Sequence, residues 1–294
     1  MINPQFEIES VLPYLKSSQT VIQNNSSSFY FAFSNLPEYQ AFSIFVIYDY
    51  LRQLDDAADN YDVATFNTLI QEWQLASKTD QLHLDMSSSI AQKAAFVFNT
   101  FEIDKSEMSN MIAGQKFDLQ KNSISTIADL RHYCYQVAGT VGCMIYRILS
   151  GKSASAIRPH LIKVGEAMQL TNILRDIKED ALAGKIYLPK DLLEQNNVSK
   201  ADLVSLETSH SLKIVVKEIA QIAKINYDHG IFCLAPLTDK KIKLSLELAM
   251  VTYQAFLQQI EENNFDVMSG RVIVSQEKKI AIYQNLLRQY DIEK

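Results

Sequence analysis

GEAMQLTNILRDIKEDALAGKIYLP, residues 165–189, decides how this chain is read. At ~100° per residue, a helix returns a side chain to the same face after three or four positions. Gln169, Asn172, Asp176 and Asp180 therefore fall along one stripe, and every one of them is an amide or an oxygen ligand. Leu170, Ile173, Leu174 and Ile177 on the adjoining faces supply the apolar surface that buries such a helix, so the polar stripe is expected to face an interior cavity. Carboxylates withdrawn from water need cations. Two acids one turn apart, with Asn172 a turn upstream, suit a hard divalent ion such as Mg²⁺, which takes oxygen ligands and is commonly shared with phosphates. Arg175 lies beside them as a phosphate partner.

The same device occurs earlier, in YDYLRQLDDAADNY, residues 48–61. Asp55, Asp56 and Asp59 repeat the four-residue spacing, with Arg52 about one turn before them and Tyr48 a further turn back. Two such helices facing each other across a cavity would hold a small cluster of Mg²⁺ ions, and those ions would hold a diphosphate.

Composition narrows the class. The chain has 294 residues with 8 Gly and 6 Pro, few for its length, and apolar residues at helical spacing fill most of it; an all-α fold is expected. No Pro-, Gly- or Ser-rich linker divides it, so residues 1–294 are read as one domain. A net charge of −6 argues against a nucleic-acid partner, which calls for a basic face. Cys134, Cys143 and Cys233 are widely spaced and odd in number, with no CxxC pair and no leader-like stretch ahead of them, as expected of a reduced, cytoplasmic protein. The most apolar run, AFSIFVIY at 41–48, is far shorter than the ~20 residues of a membrane span and is read as a core helix.

Along the chain, helical periodicity predicts a first helix from Glu9 to Gln23 and a second, opened by Pro37, from Glu38 to about Asn60. Between them NNSSSFYFAF reads either as a capping turn or as a set of hydroxyl and amide donors for phosphate. Residues 62–118 read as three helices with a polar loop at 79–85, and Trp73 as a packing residue. Gln115 and Asp118 read as a solvated helix end ahead of a site role. In LRHYCYQVAGTVGCMIYRIL, residues 130–149, a helix is interrupted at Ala138, Gly139, Thr140 and Gly142. Two helical glycines cost about 1 kcal/mol each relative to Ala, so a neighbouring helix or a ligand chain is expected to approach that backbone closely. Gly184 and Pro189 bracket KIYLP, where Lys185 and Tyr187 are expected to fold back over a diphosphate. Helices at about 200–230, 239–264 and 276–290 follow as walls, and Arg271, Lys278 and Lys279 form a basic patch read as a solvated face, with closure over phosphate or a membrane contact as its other uses.

These stretches together resemble the squalene and phytoene synthase family. DDAAD at 55–59, YCYQVAGTVG at 133–142, QLTNILRDIKED at 169–180 and KIYLP at 185–189 carry the resemblance, which with SFYFAF runs from near residue 22 to the C-terminal helices. Within the family the sequence is most like bacterial dehydrosqualene synthases. The resemblance implies a single-domain, all-α isoprenoid synthase bundle around a deep apolar cavity, with the two acid motifs facing each other at its mouth. It implies Mg²⁺, two or three ions, on Asp55, Asp56, Asp59, Asn172, Asp176 and Asp180, with Asp55, Asp59, Asp176, Asp180 and Tyr133 as the catalytic set. Asn25, Ser26, Ser27, Ser28, Tyr48, Arg52, Gln169, Arg175, Tyr187, Tyr253 and Arg271 would contact substrate. Phe29, Val137, Ala138 and Gly142 would line the cavity. Relatives carry basic residues where this chain has Asn25 and Ser27, and an arginine where it has Lys185; neutral donors bind phosphate with about half the strength of charged ones.

The implied reaction joins two farnesyl diphosphates through presqualene diphosphate to dehydrosqualene, with no NADPH, in the cytoplasm and in peripheral contact with the inner face of a membrane. Squalene synthase, which adds hydride from NADPH, and phytoene synthase, which joins C20 chains, are the rivals within the family. A terpene cyclase is disfavoured by the pairing of DDAAD with NILRDIKED. A non-catalytic helical scaffold of the same fold is the rival from another class; such a copy is expected to lose acids from one motif, and here both are intact.

Overall fold

The structure is a computed structural model that describes residues 3–79, 82–120, 122–152 and 155–292; no strand occurs among them, so the chain is all-α as expected. It divides into two compact units, residues 1–120 with 143–156, and residues 121–142 with 157–294. Residues 80 and 81 of the expected polar loop lie outside the described residues.

The first unit contains α1 (Pro4–Leu15), α2 (Ser17–Asn25), α3 (Ser27–Phe33), α4 (Glu38–Asp59), α5 (Val63–Ala76), α6 (Ile90–Thr100) and α7 (Lys105–Leu119). The helix expected at 9–23 begins five residues earlier, where Asn3 caps it and Pro4 occupies the first turn, and it is divided at Lys16. Asn and Pro explain the early start. The apolar lead-in of α4 is the core of this unit: Phe42, Ile44, Phe45, Val46, Ile47 and Tyr50 are all buried, each contributing roughly 1.5–3 kcal/mol by leaving water. Helices α1, α2, α5, α6 and α7 pack around it. Trp73 is a packing residue, stacked on Tyr50 with ring centroids 5.8 Å apart and set edge-on to Phe98 at 4.7 Å. Buried Asp49 on α4 accepts from Ser18 Oγ at 2.7 Å and Gln53 Nε2 at 2.9 Å, which ties α2 to α4. Gln115 and Asp118 are buried on α7, not solvated; sequence spacing does not say which face of a short polar helix turns inward.

The second unit contains α8 (Ile127–Cys134), a π-helical turn (Tyr135–Gly139) and the start of α9 (Thr140–Ser150), whose residues from Cys143 onward belong to the first unit. It continues with α10 (Arg158–Arg175), α11 (Ile177–Leu182), α12 (Lys190–Gln195), α13 (His210–Tyr227), α14 (Gly230–Leu234), α15 (Lys240–Glu262) and α16 (Gln276–Gln289). The helix expected from about residue 200 starts at His210, behind its Ser209 cap. Helix α10 is central, packed by the π-turn, α8, α13, α14 and α15. The interrupted helix is explained here. A Cβ at Gly165 of α10 would lie 2.6 Å from the Ala138 carbonyl oxygen and 2.7 Å from Gly139 Cα and N, and a Cβ at Gly142 would lie 3.3 Å from the Leu161 carbonyl oxygen. The neighbour that the glycines admit is therefore helix α10.

Polar contacts fix the middle and the N-terminal end of α10. Glu166, 2% exposed, pairs with Arg131 Nε and with Lys163 Nζ at 3.1 Å. His160 Nδ1 lies 2.8 Å from His229 Nδ1, and the Phe232 ring stacks on His160 at 4.4 Å. Lys279 is also buried, and burial pushes its ammonium below the usual lysine range, so it does not belong to a solvated basic patch. All three cysteines are free and buried; burial raises the Cys134 thiol well above its ordinary range and lifts Cys233 to about 12, which leaves both as packing residues.

Two outcomes follow from this packing. Gly165→Ala forces backbone apart from backbone and is expected to cost roughly 3 kcal/mol, the upper end of overpacking penalties, read as a lower denaturant midpoint at unchanged slope. His229 titrates below the ordinary histidine range because of burial first and then the nearby His160 and Lys163, with Asp228 and Glu166 acting the other way. The unfolded chain therefore takes up the proton first. Stability is complete above the unfolded pKa of about 6.5 and declines as pH falls through the lower folded value. Melting temperatures between pH 7 and pH 5 should show this slope, reduced in His229→Asn.

Candidate active site

In the first unit the site residues lie along α4 and the segment before it. Ser26 caps α3 by accepting from the Phe29 backbone N–H, and the Asn25 side chain donates to the Val21 carbonyl at 2.9 Å. The run NNSSS thus serves helix ends, as one of its two readings expected. Ser27 is exposed and Ser28 half-buried. Phe29 meets Phe33 at 5.8 Å and Tyr48 at 6.4 Å, forming an aromatic group one turn from Arg52. Arg52 turns towards the acids. Its Nη1 is 3.2 Å from Asp55 Oδ2 and its Nη2 donates to Asp56 Oδ1, while its Nε is buried with no hydrogen-bond partner. Burial alone would lower the guanidinium pKa, but the bond to Asp56 and the charges of Asp55 and Asp56 outweigh it and the net shift is upward. Asp59, the last residue of α4, is exposed.

In the second unit the polar stripe of 169–180 is not one helix. Helix α10 ends at Arg175, and Asp176, with φ −108° and ψ 15°, is both its last cap and the first of α11. The backbone bonds Asp176 N–H to the Asn172 carbonyl and Asp180 N–H to the Asp176 carbonyl, both 2.9 Å, keep helical spacing across the break. The kink has no Gly or Pro to announce it. Gln169, Asn172, Asp176 and Asp180 are half-buried. Asn172 Nδ2 donates to Gln169 Oε1 at 3.4 Å, and Asn172 Oδ1 is buried with no hydrogen-bond partner. Arg175 Nε donates to Asp176 Oδ1 at 2.8 Å and its Nη2 to Asp176 Oδ2, while the guanidinium carbon lies 5.3 Å from the centre of the Phe256 ring. As with Arg52, burial acts to lower the Arg175 pKa and the Asp176 carboxylate reverses it.

The remaining expected residues gather around α10 to different degrees. Tyr133 stacks on Tyr187 with centroids 5.1 Å apart, and Tyr187 shares a crevice with Asp180, Lys185, Ile173 and Ile177. That crevice places Lys185 and Tyr187 beside Asp180 at the end of the acid motif; Gly184 permits the turn with φ +81°, a left-handed conformation that strains any other residue. Val137, Ala138 and Gly142 are half-buried, and α10 fills the space that side chains at Gly139 and Gly142 would take. Tyr253 packs on Phe256 at 6.0 Å. Arg271 is exposed on the segment after α15. Sequence reasoning missed Phe256, Thr171 and Tyr227. Fully buried Thr171 donates to the Ala167 carbonyl at 2.8 Å and lies 2.9 Å from the Tyr227 hydroxyl, whose pKa burial drives upward. The three-residue step from Tyr253 to Phe256 on one helix face was the available signal for Phe256.

Chemically, the arrangement is two acid sets, each with its own arginine. Among the described residues no three His, Cys, Asp or Glu side chains converge as a ready metal cluster, and Asp55, Asp56 and Asp176 are paired with Arg52 and Arg175. The Asn172 Oδ1 acceptor, left unfilled beside Asp176, fits the oxygen-donor chemistry of a hard cation. The Arg52 Nε donor, equally unfilled, fits an anion.

The family model for squalene/phytoene synthase matches residues 22–278, a span that contains both acid sets. A 4,4'-diapophytoene synthase of Staphylococcus haemolyticus is 30% identical over 272 residues, covering 92% of this chain and 95% of that protein. A phytoene synthase of Arthrospira platensis is 30% identical over 276 residues, covering 87% and 86% respectively. Among solved structures, a dehydrosqualene synthase with bound ligand superimposes with a TM-score of 0.87 at 27% identity, over 98% of this chain and 100% of that one. A squalene synthase from Alicyclobacillus acidocaldarius shares the fold alone, with a TM-score of 0.76 at 19% identity over 90% of this chain and 99% of that one. The chain therefore belongs to the squalene/phytoene synthase family, prenyltransferase-type enzymes of head-to-head condensation.

Proposed function

We propose that this chain is a dehydrosqualene synthase, which joins two farnesyl diphosphates head to head through presqualene diphosphate and forms dehydrosqualene without NADPH. One observation carries the reading: each acid set holds a buried polar atom with no partner, a donor on Arg52 and an acceptor on Asn172. A buried polar atom left unpaired costs about 1–3 kcal/mol, a loss that an anion at Arg52 and a cation at Asn172 would each recover. A diphosphate with its counter-ions is such a ligand. The likeness to a diapophytoene synthase and a dehydrosqualene synthase supports the C30 chain length.

Asp55, Asp56 and Asp59, and Asn172, Asp176 and Asp180, would hold Mg²⁺, two or three ions in all. When bound, Mg²⁺ supplies neutralisation of the charge that grows on departing diphosphate. Arg52 and Tyr48 in the first unit, and Arg175 and Gln169 in the second, would each contribute hydrogen bonds to diphosphate oxygens, stronger as the charge develops than in the ground state. Phe29, Phe33 and Tyr48 offer ring faces to an allylic cation and keep water from it. The stacked pair Tyr133 and Tyr187 does the same beside Asp180. Two diphosphates and two protons leave for each dehydrosqualene formed. No helix among the described residues is long and apolar enough to cross a membrane, and the oily product has to reach a bilayer; the reading includes peripheral contact with the inner face of a membrane from the cytoplasm.

Purified protein incubated with farnesyl diphosphate and Mg²⁺, with and without NADPH, should yield dehydrosqualene in both cases by mass analysis of the extract. Squalene formed only with NADPH would make it a squalene synthase, a C40 product from geranylgeranyl diphosphate alone a phytoene synthase, and no product from either a scaffold. Asp176→Asn is expected to lower turnover by about 10²–10³-fold with helical content intact, the range for removing one group that stabilises developing charge. Near-normal turnover in that variant would remove the second acid set from the chemistry.

A further inference from the structure

The Arg175 guanidinium has two neighbours of different kinds. The Asp176 carboxylate takes its Nε and Nη2 hydrogens, and the ring of Phe256, reaching from α15, lies 5.3 Å from its central carbon. Phe256 is 8% exposed, so packing fixes the ring, whereas the Arg175 side chain is 19% exposed and the Asp176 side chain 26%. A guanidinium carries five N–H donors in a rigid fork, and a flat aromatic face attracts it without consuming any of them. The carboxylate, by contrast, occupies two.

The two partners also respond differently to a loaded site. A cation on Asp176 would compete directly with Arg175 for the carboxylate oxygens and repel the guanidinium at close range. The ring face is untouched by that exchange. We infer that Phe256 is a positioning residue: its ring holds the Arg175 guanidinium in place when Asp176 gives up the ion pair, so that the freed N–H groups donate to a diphosphate oxygen. The inference rests on the diphosphate-binding reading given above but does not require turnover. It explains why the arginine nearest the kink is backed by an aromatic side chain from another helix, when an aliphatic one would fill the same space. Tyr253, one turn back on α15, and Tyr227 share the neighbourhood.

The test is calorimetric binding of inorganic pyrophosphate with Mg²⁺ to the full chain, in a double-mutant cycle of Phe256 with Arg175. Phe256→Leu should weaken pyrophosphate about 5- to 20-fold, in keeping with a partly desolvated cation–π contact, and Phe256→Tyr, which keeps the ring, should stay within about 2-fold. In an Arg175→Gln background Phe256→Leu should have no further effect. Phe256→Met, close in volume and not aromatic, replaces the leucine variant should that one fail to fold, with circular dichroism and melting temperature as the folding check. Unchanged pyrophosphate affinity in the non-aromatic variants, an equal loss in the Arg175→Gln background, or no pyrophosphate binding by the unaltered chain would each overturn the inference. Failure of the synthase reading is a separate result: no hydrocarbon product from farnesyl or geranylgeranyl diphosphate while the binding cycle holds.

Discussion

Negative charge gathered at helix ends is the constraint that the arrangement has to satisfy. Asp55, Asp56 and Asp59 crowd the C-terminal end of α4, where the helix dipole already disfavours anions and carboxylates at helical spacing repel one another. Arg52 offsets this from within the same helix. The second set meets the problem another way. The break at Asp176 ends α10 and begins α11, so that Glu179 and Asp180 fall in the first turn of a new helix, where the dipole favours them. The kink and the arginine are two answers to one electrostatic difficulty, and both leave carboxylates that a stronger cation could claim.

The acid sets were legible because helical spacing converts directly into shared faces, and four-residue steps between aspartates need no tertiary information. The long helices α4, α15 and α16 were legible for the same reason, within one or two residues at each end. The break at Asp176 was not. Nothing in NILRDIKED forbids a continuous helix, and the backbone there answers to packing. Burial of Gln115, Asp118 and Lys279 was missed because a polar residue near a helix end looks solvated until its neighbours are known. Phe256 and Tyr227 sit on amphipathic helices where an aromatic residue reads as core, and only the folded chain brings them to Arg175 and Thr171.

The π-helical turn shows how a small sequence feature acquires a structural reason. Five residues, Tyr135–Gly139, widen the helix where Gly165 presses against the Ala138 carbonyl, and the turn lies just after Tyr133, which stacks on Tyr187. Glycine at 165 thus brings backbones within a distance that no side chain permits, and at 139 and 142 a side chain would require α10 to shift by a few tenths of an ångström. The aromatic pair beside Asp180 depends on that approach, since both of its rings are carried by segments that α10 anchors or continues.

The hydroxyl bond between α10 and α13 has a direction. Thr171 owns a single hydrogen, and the Ala167 carbonyl, which can only accept, receives it. Tyr227 must then be the donor in its contact with Thr171. Its hydrogen is committed to Thr171 and burial drives its pKa upward, so the phenol stays neutral. What its oxygen has left to offer is lone-pair density, and the charge near it is that of Arg175. A neutral phenol buried between two helices is in this way tied, through one threonine hydroxyl, to the backbone of one of them.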